Sequence, residues 1–150
     1  MTTKIIIPQG YIVKPAYIIS LDSIPTSKDS ISNGSVIPIL NIAIPDTRPI
    51  ELAYLTTCLP NSVKGPHVHT GDKLDRFMCV RGFCKVSTRN EQTFEKQSFY
   101  LCEDIPALLY IPPYNSHAID SMSGATILSL CTERYYPGHY NQVDVDWSEE

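Results

Sequence analysis

Residues 65–86 read GPHVHTGDKLDRFMCVRGFCKV, and they include two of the four histidines of the chain. His67 and His69 are one residue apart, so in a strand their side chains project to the same face. After the TG turn, Lys73 and Asp75 share a face with apolar residues. A strand against a dry core is apolar on one side, so this mixture indicates a polar cavity inside a barrel. The alternative is a rim strand with its charges in solvent.

The rest of the sequence is typical of one globular, mostly β domain. A chain of 150 residues has the size of a single domain, and 43% of its residues are hydrophobic. Short stretches rich in Ile, Val, Tyr and Thr alternate with proline and glycine turns, and none has the periodicity of a long helix. We predict a single domain over residues 1–150, built as a β-sandwich or barrel. Its candidate strands are 4–8, 11–21, 36–43, 51–58, 74–80, 84–88, 97–101, 108–111, 117–121 and 125–131, and 23–35 is predicted to be a long loop.

Charge and cysteine content argue against several classes of function. The five cysteines form no CxxC pair, which fits reduced, buried thiols better than disulfides or a cysteine zinc site. The net charge is -4 and no cluster of lysine and arginine is present, so we expect no nucleic-acid partner. The sequence has neither an apolar run of membrane-spanning length nor a signal-peptide cleavage site. We therefore predict a cytoplasmic protein without a membrane partner.

The second half of the chain contains a third histidine in a related context. Residues 108–120 read LLYIPPYNSHAID, which is an apolar strand, a proline turn and a strand that begins at His117. Together with GPHVH and the VRG turn at 80–82, this order resembles the two motifs of the cupin superfamily. The resemblance covers roughly residues 64–131. It implies an all-β double-stranded β-helix, or jelly roll, with His67, His69 and His117 lining the barrel.

A closer resemblance is to the sugar-nucleotide branch of the cupins. The chain has KGPHVH, DKLDRF, VRG, IPPYNSHAI, RYYPG and DWSEE in the order of the motifs of dTDP-4-dehydrorhamnose 3,5-epimerases. It departs from them at Lys64, which replaces an arginine, at His69, which replaces a glutamine, and at WSE, which replaces WND. The HxH pair and the CKV segment are similar instead to the dTDP-4-keto-6-deoxyhexose 3,4-ketoisomerases.

This resemblance implies a metal-independent epimerase without a cofactor, acting on a nucleotide-linked 4-keto-6-deoxy sugar with dTDP as the expected nucleotide. The enzyme abstracts a proton next to the ketone and returns one from the opposite face. His67 is the implied base and Glu149 its carboxylate partner, at the position of the WND aspartate. Lys73 stabilises the enolate, and Tyr135 is the implied proton donor. The resemblance assigns substrate binding to five further side chains: Lys64, His69, Asp75, His117 and Tyr136.

Three alternatives stay open. A ketoisomerase would use His69 to carry a proton between C3 and O4. A metal-dependent cupin would bind a metal ion through the three histidines, although the expected glutamate position falls in the segment TGDK. A non-catalytic cupin would only bind a sugar. Both sugar-nucleotide families usually form dimers that share N-terminal strands, so we predict a homodimer with KIIIP as the candidate interface strand.

Overall fold

The computed structural model describes residues 5–28, 31–40, 48–133 and 142–148. These residues form β-strands, turns and irregular segments, and contain no helix, so no helix that could cross a membrane is found among them. The strands are β1 (Tyr17–Ser20), β2 (Ile24–Lys28), β3 (Ile31–Val36), β4 (Leu52–Cys58), β5 (Ser62–His69), β6 (Asp75–Asn90), β7 (Lys96–Cys102), β8 (Ala107–Ile111), β9 (Asn115–Ser121), β10 (Ala125–Cys131) and β11 (Gln142–Asp144).

Two antiparallel sheets share the long strand β6. The first half of β6 belongs to a sheet of order β1, β8, β6, β10, β4, here called the first sheet. The second half belongs to a sheet of order β7, β6, β9, β5, β11, here called the second sheet. The strands β2 and β3 pair only with each other in the described part of the chain. The prediction of an all-β jelly roll is confirmed.

Strand β6 continues from the first sheet into the second without interruption at Gly82. The φ angle of Gly82 is +80°, and a Cβ atom there would lie 2.3 Å from the carbonyl oxygen of Gly124. The pairing register with β10 also shifts here, which leaves Val80 as an extra residue. The prediction of a turn at residues 80–82 was therefore wrong, because glycine and the bulge bend the strand without ending it.

Most predicted strands in the second half of the chain are confirmed, whereas those near the N-terminus were largely wrong. Residues 5–8 are irregular, since a turn begins at Pro8, whose oxygen accepts a hydrogen bond from Tyr11 N at 3.0 Å. Only residues 17–20 of the predicted strand 11–21 form β1. The predicted loop 23–35 instead holds most of the β2–β3 hairpin. Its polar, exposed residues form a strand pair without the apolar alternation that reveals one in a sequence.

Two apolar clusters hold the fold together. The first fills the space between the sheets and contains Cys58, Phe77, Cys79, Cys84, Val86, Leu101, Leu109, Ile111, Ile119, Ala125 and Ile127. The second lies on the outer face of the first sheet, where Leu74, Met78, Leu108 and Tyr110 pack against residues from 17–21 and 37–40. All five cysteines are free thiols and four are buried, which fits the predicted reduced state.

Candidate functional site

Three histidines lie together inside the barrel, on the inner face of the second sheet. His67 and His69 belong to β5, and His117 belongs to β9, where it pairs directly with His67. The ring centroids of His67 and His117 are 4.5 Å apart, and that of His69 lies 5.2 Å and 5.3 Å from them. His69 and His117 are buried, whereas His67 is partly exposed. The alternation of side chains along β5 thus brings both of its histidines to the third.

A bulge in β5 determines which side chains join this face. Lys64 and His67 are three residues apart in the sequence, whereas their partners on β9, Ile119 and His117, are two residues apart. Strand β5 therefore carries one extra residue between Lys64 and His67. Cross-strand partners share a face, and the exposed Lys64 is therefore on the side of His67. The bulge needs Gly65, whose φ angle is +92°. A Cβ atom there would lie 2.5 Å from the carbonyl oxygen of His117.

A buried carboxylate, Asp75, connects the histidines to a lysine. Its Oδ2 lies 3.0 Å from Nε2 of His69, and its Oδ1 lies 3.7 Å from Nζ of Lys73. Sγ of Cys131 donates a hydrogen bond to the same Oδ1 at 3.0 Å. Burial raises the pKa of the Asp75 carboxyl, but His69 and Lys73 outweigh burial and hold the pKa below its ordinary value. Asp75 is therefore an anion at neutral pH, and it orients the imidazole of His69.

The other two histidines are neutral at pH 7. Burial lowers the pKa of His67 to about 4 and the pKa of His117 to about 3. Their histidine neighbours lower both pKa values further, whereas the charge of Asp75 raises them. A neutral imidazole accepts a proton, so His67 and His117 are in the form that a general base requires.

These depressed pKa values predict that the protein loses stability in acid. Between pH 6.5 and about 4 the unfolded chain binds protons that the folded histidines do not, so the free energy of unfolding falls as the pH falls. We expect a lower melting temperature at pH 4.5 than at pH 7, measured with a chelator present. The dependence should be weaker in His67→Gln than in the unmodified protein. An equal pH dependence in the two proteins would contradict the assignment.

An acidic residue that was not predicted from the sequence, Asp144, lies next to His67. Asp144 pairs directly with His67 across β5 and β11, so the two side chains share a face. The negative charge of Asp144 raises the pKa of His67 against the stronger effect of burial. The segment that carries Asp144 is held in place by Trp147, whose Nε1 donates a hydrogen bond to Oγ of Ser116 at 2.9 Å. The available sequence signal was the acidic segment VDVD directly before Trp147. The sequence does not reveal that this segment pairs with β5.

Three of the predicted site residues lie outside the described residues. They are Tyr135, Tyr136 and Glu149, the implied proton donor, its neighbour and the implied carboxylate partner of the base.

The three histidines also match the donor set of a transition-metal site. Their candidate ligand nitrogens all lie within 4.8 Å of one another. Three imidazoles suit zinc, iron, nickel or copper and leave coordination positions for a substrate. His67, His69 and His117 would hold such an ion, which would polarise a substrate carbonyl as a Lewis acid. Asp75 is not one of these three candidate ligands. Its carboxylate contacts His69 and Lys73 instead.

Comparisons with solved structures find the same fold in enzymes of nucleotide sugars. A dTDP sugar isomerase from Desulfovibrio desulfuricans G20 is 19% identical with a TM-score of 0.74, over 91% of this chain and 87% of that chain. A 3'-monoepimerase from Streptomyces bikiniensis, in complex with dTDP-quinovose, is 15% identical with a TM-score of 0.75. The match covers 90% of this chain and 71% of that chain. A 3,4-ketoisomerase from Thermoanaerobacterium thermosaccharolyticum, in complex with TDP-4-keto-6-deoxyglucose, is 21% identical with a TM-score of 0.67. The match covers 88% of each chain.

These similarities show that the chain shares the fold of these nucleotide-sugar isomerases and epimerases, which is the fold that its motifs predicted. No curated protein matches the chain significantly. The model of one protein family, described as the polysaccharide biosynthesis C-terminal domain, matches residues 49–143. This match includes β4 to β10, the three histidines and Asp75. Since it spans more than half of the sequence, the chain belongs to the polysaccharide biosynthesis C-terminal domain family.

Proposed function

We propose that the chain is an enzyme that epimerises a nucleotide-linked 4-keto-6-deoxy sugar by removing and returning a proton next to the ketone. The observation that carries this proposal is the cluster of three histidines, joined to the buried Asp75, inside the barrel. A ketone acidifies the hydrogens on its neighbouring carbons. A neutral base, a cation near the enolate oxygen and a proton donor are then sufficient for inversion without a metal ion.

In this proposal His67 removes the proton, because it is neutral at pH 7 and partly exposed within the cavity. Asp144 faces it from β11 and stabilises the imidazolium that forms. Lys73 supplies the positive charge for the enolate, and Asp75 holds its ammonium group in place. Tyr135 is the donor that the family motif implies.

The remaining predicted residues are proposed to bind the substrate. His69 and His117 would hydrogen-bond the hydroxyl groups of the sugar, since the rings of both lie against the ring of His67. Lys64 shares their face and is exposed, which suits a charge-assisted contact with the diphosphate. The dTDP and TDP ligands of the solved enzymes support a thymidine nucleotide.

A second candidate, the 3,4-ketoisomerase, is favoured by the contact between His69 and Asp75. Among the described histidines, His69 forms a close ion-pair contact with a buried carboxylate, at 3.0 Å. A ketoisomerase moves a proton between neighbouring atoms on one side of the sugar, and a single oriented imidazole can carry it. In that reaction His69 is the base, and His67 is a neighbour that binds the sugar.

The proposal is tested by incubating the protein with dTDP-4-keto-6-deoxyglucose in deuterated water and following the sugar protons by NMR. We expect deuterium at C3, at C5 or at both, together with an epimerised product. His67→Ala should lower the rate of exchange by about 10²–10⁴-fold, the usual contribution of a general base. Tyr100→Phe, at an exposed position on β7, is the control.

The other outcomes separate the alternatives. A 3-keto product that is lost in His69→Ala would support the ketoisomerase. Activity that a chelator removes and an added transition metal restores would support a metal-dependent enzyme. Binding of the nucleotide sugar without exchange or product would contradict the proposed catalysis and leave a binding protein.

A further inference from the structure

Tyr54 lies in the first sheet and faces the interior of the barrel. Within that sheet Tyr54 pairs with Ser129, and Ser129 pairs with Phe77, so these three side chains share a face. The face is the inner one, because Phe77 is in the apolar core and its ring meets the ring of His117 from the opposite sheet, with centroids 5.5 Å apart. Tyr54 is 36% exposed. It is therefore at the open end of a row that begins in the core.

A second row faces it from the other sheet. His117 pairs with His67, and His67 pairs with Asp144, so this row also runs from the core towards an edge strand. The ring contact between His117 and Phe77 shows that the two rows approach each other in the core. Tyr54 and His67 are therefore on opposite walls of the interior, one in each sheet.

The hydroxyl of Tyr54 belongs to a chain of hydrogen bonds that ends at the buried carboxylate. It is hydrogen-bonded to the side chains of Ser129 and Cys131. The thiol of Cys131 donates to Oδ1 of Asp75 at 3.0 Å, and Oδ2 of Asp75 lies 3.0 Å from His69. Tyr54 is consequently connected to the histidine side of the site through groups that can exchange protons.

We propose that Tyr54, and not Tyr135, which the family motif implies, is the acid that returns the proton from the face of the sugar opposite to the histidines. This inference rests on the proposed epimerase function. His67 breaks the C–H bond next to the ketone and takes the proton, and the electron pair moves to the carbonyl oxygen as an enolate. The enolate carbon then takes the proton of the Tyr54 hydroxyl on the other face, and the ketone forms again. The tyrosinate regains a proton, and the imidazolium loses one, by exchange with water.

The surroundings of Tyr54 suit a donor that is protonated before each turnover. Burial and the negative charge of Asp75 raise the pKa of the Tyr54 hydroxyl above its ordinary value. The exposed fraction of the side chain gives water access for reprotonation. A site with a base in one sheet and an acid in the other is suited to inversion, whereas a site with both on one side is not.

The test is Tyr54→Phe, assayed in deuterated water with dTDP-4-keto-6-deoxyglucose. We expect formation of the epimer to fall by about 10²-fold or more, while exchange of the substrate hydrogen by the base continues. Loss of inversion with retained exchange is a result that a merely structural role of the tyrosine would not produce. Tyr100→Phe is the control, because Tyr100 lies on β7 with 61% of its surface exposed and stacks on Phe83.

Normal inversion by Tyr54→Phe would overturn the inference, and so would loss of inversion confined to Tyr135→Phe. Thermal unfolding of each variant establishes that it is folded, and Tyr54→Gln repeats the test if the phenylalanine variant unfolds. Absence of exchange in the unmodified protein is a distinct result. It would overturn the proposed epimerase itself, and the role of Tyr54 with it.

Discussion

Replacing Asp75 with asparagine is expected to lower the rate of the proposed proton transfer by about 10²–10⁴-fold. The Asp75 carboxylate is 1% exposed, and it contacts both His69 and Lys73. Asparagine has nearly the same shape but no charge. The imidazole of His69 would lose the anion that orients it, and Lys73 would lose the counter-ion that positions its ammonium group. Deuterium exchange into the nucleotide sugar measures the change.

The same substitution should lower the free energy of unfolding by about 3–5 kcal/mol, because it removes one partner of a buried ion pair. Urea denaturation of the metal-free protein measures this loss. Asp72→Asn is the matched control, since the Asp72 side chain is 93% exposed and pairs with Arg48 at the surface. The control should change stability by less than about 1 kcal/mol. Equal effects of the two substitutions would contradict the central role of Asp75.

Replacing Gly65 with alanine is expected to destabilise the protein by about 2–4 kcal/mol and to reduce activity by about 10²-fold. The new Cβ would lie 2.5 Å from the carbonyl oxygen of His117, so β5 and β9 must move apart at the point where His67 and His117 pair. A displacement of about 1 Å between reacting groups is enough for a loss of that size. Thermal unfolding and the deuterium exchange assay measure the two effects separately.

The control variant Gly10→Ala shows how much of the loss in Gly65→Ala comes from steric collision and how much from backbone strain. Gly10 has a φ angle of +78°, similar to that of Gly65, but a Cβ atom there would meet nothing within 4 Å. We expect this control to cost about 1 kcal/mol, with no loss of activity. If both alanine variants lost the same stability and kept full activity, the close approach of β5 and β9 would not control the site.

Local sequence patterns predicted the parts of the site that depend on one strand or one motif. The two-residue period of a strand was enough to place His67 and His69 on one face, and the proline-turn motif identified His117 as the third residue of the cluster. The same alternation grouped Lys73 with Asp75, which contact each other in the structure. The cupin motifs then predicted the jelly roll, because their order along the chain is that of its strands.

What the sequence did not reveal depends on the register between distant strands. Asp144 meets His67 only because β11 pairs with β5, and Tyr54 faces the cavity only because β4 pairs with β10. Neither pairing leaves a local pattern, since the partners are more than 70 residues apart in the sequence. The continuity of β6 was missed for a related reason, because a glycine in VRG indicates a turn as readily as a bend at Gly82.

Strand β6 also has a consequence for how the protein folds. Its two halves pair with β8 and β10 on one side of the barrel corner and with β7 and β9 on the other. Neither sheet is complete without this strand, so the two sheets cannot behave as independently folding units. The pairings join segments that are far apart in the sequence, and such contacts form late and slowly. The interior that holds the three histidines needs both sheets, so it forms in a single cooperative step with the rest of the fold.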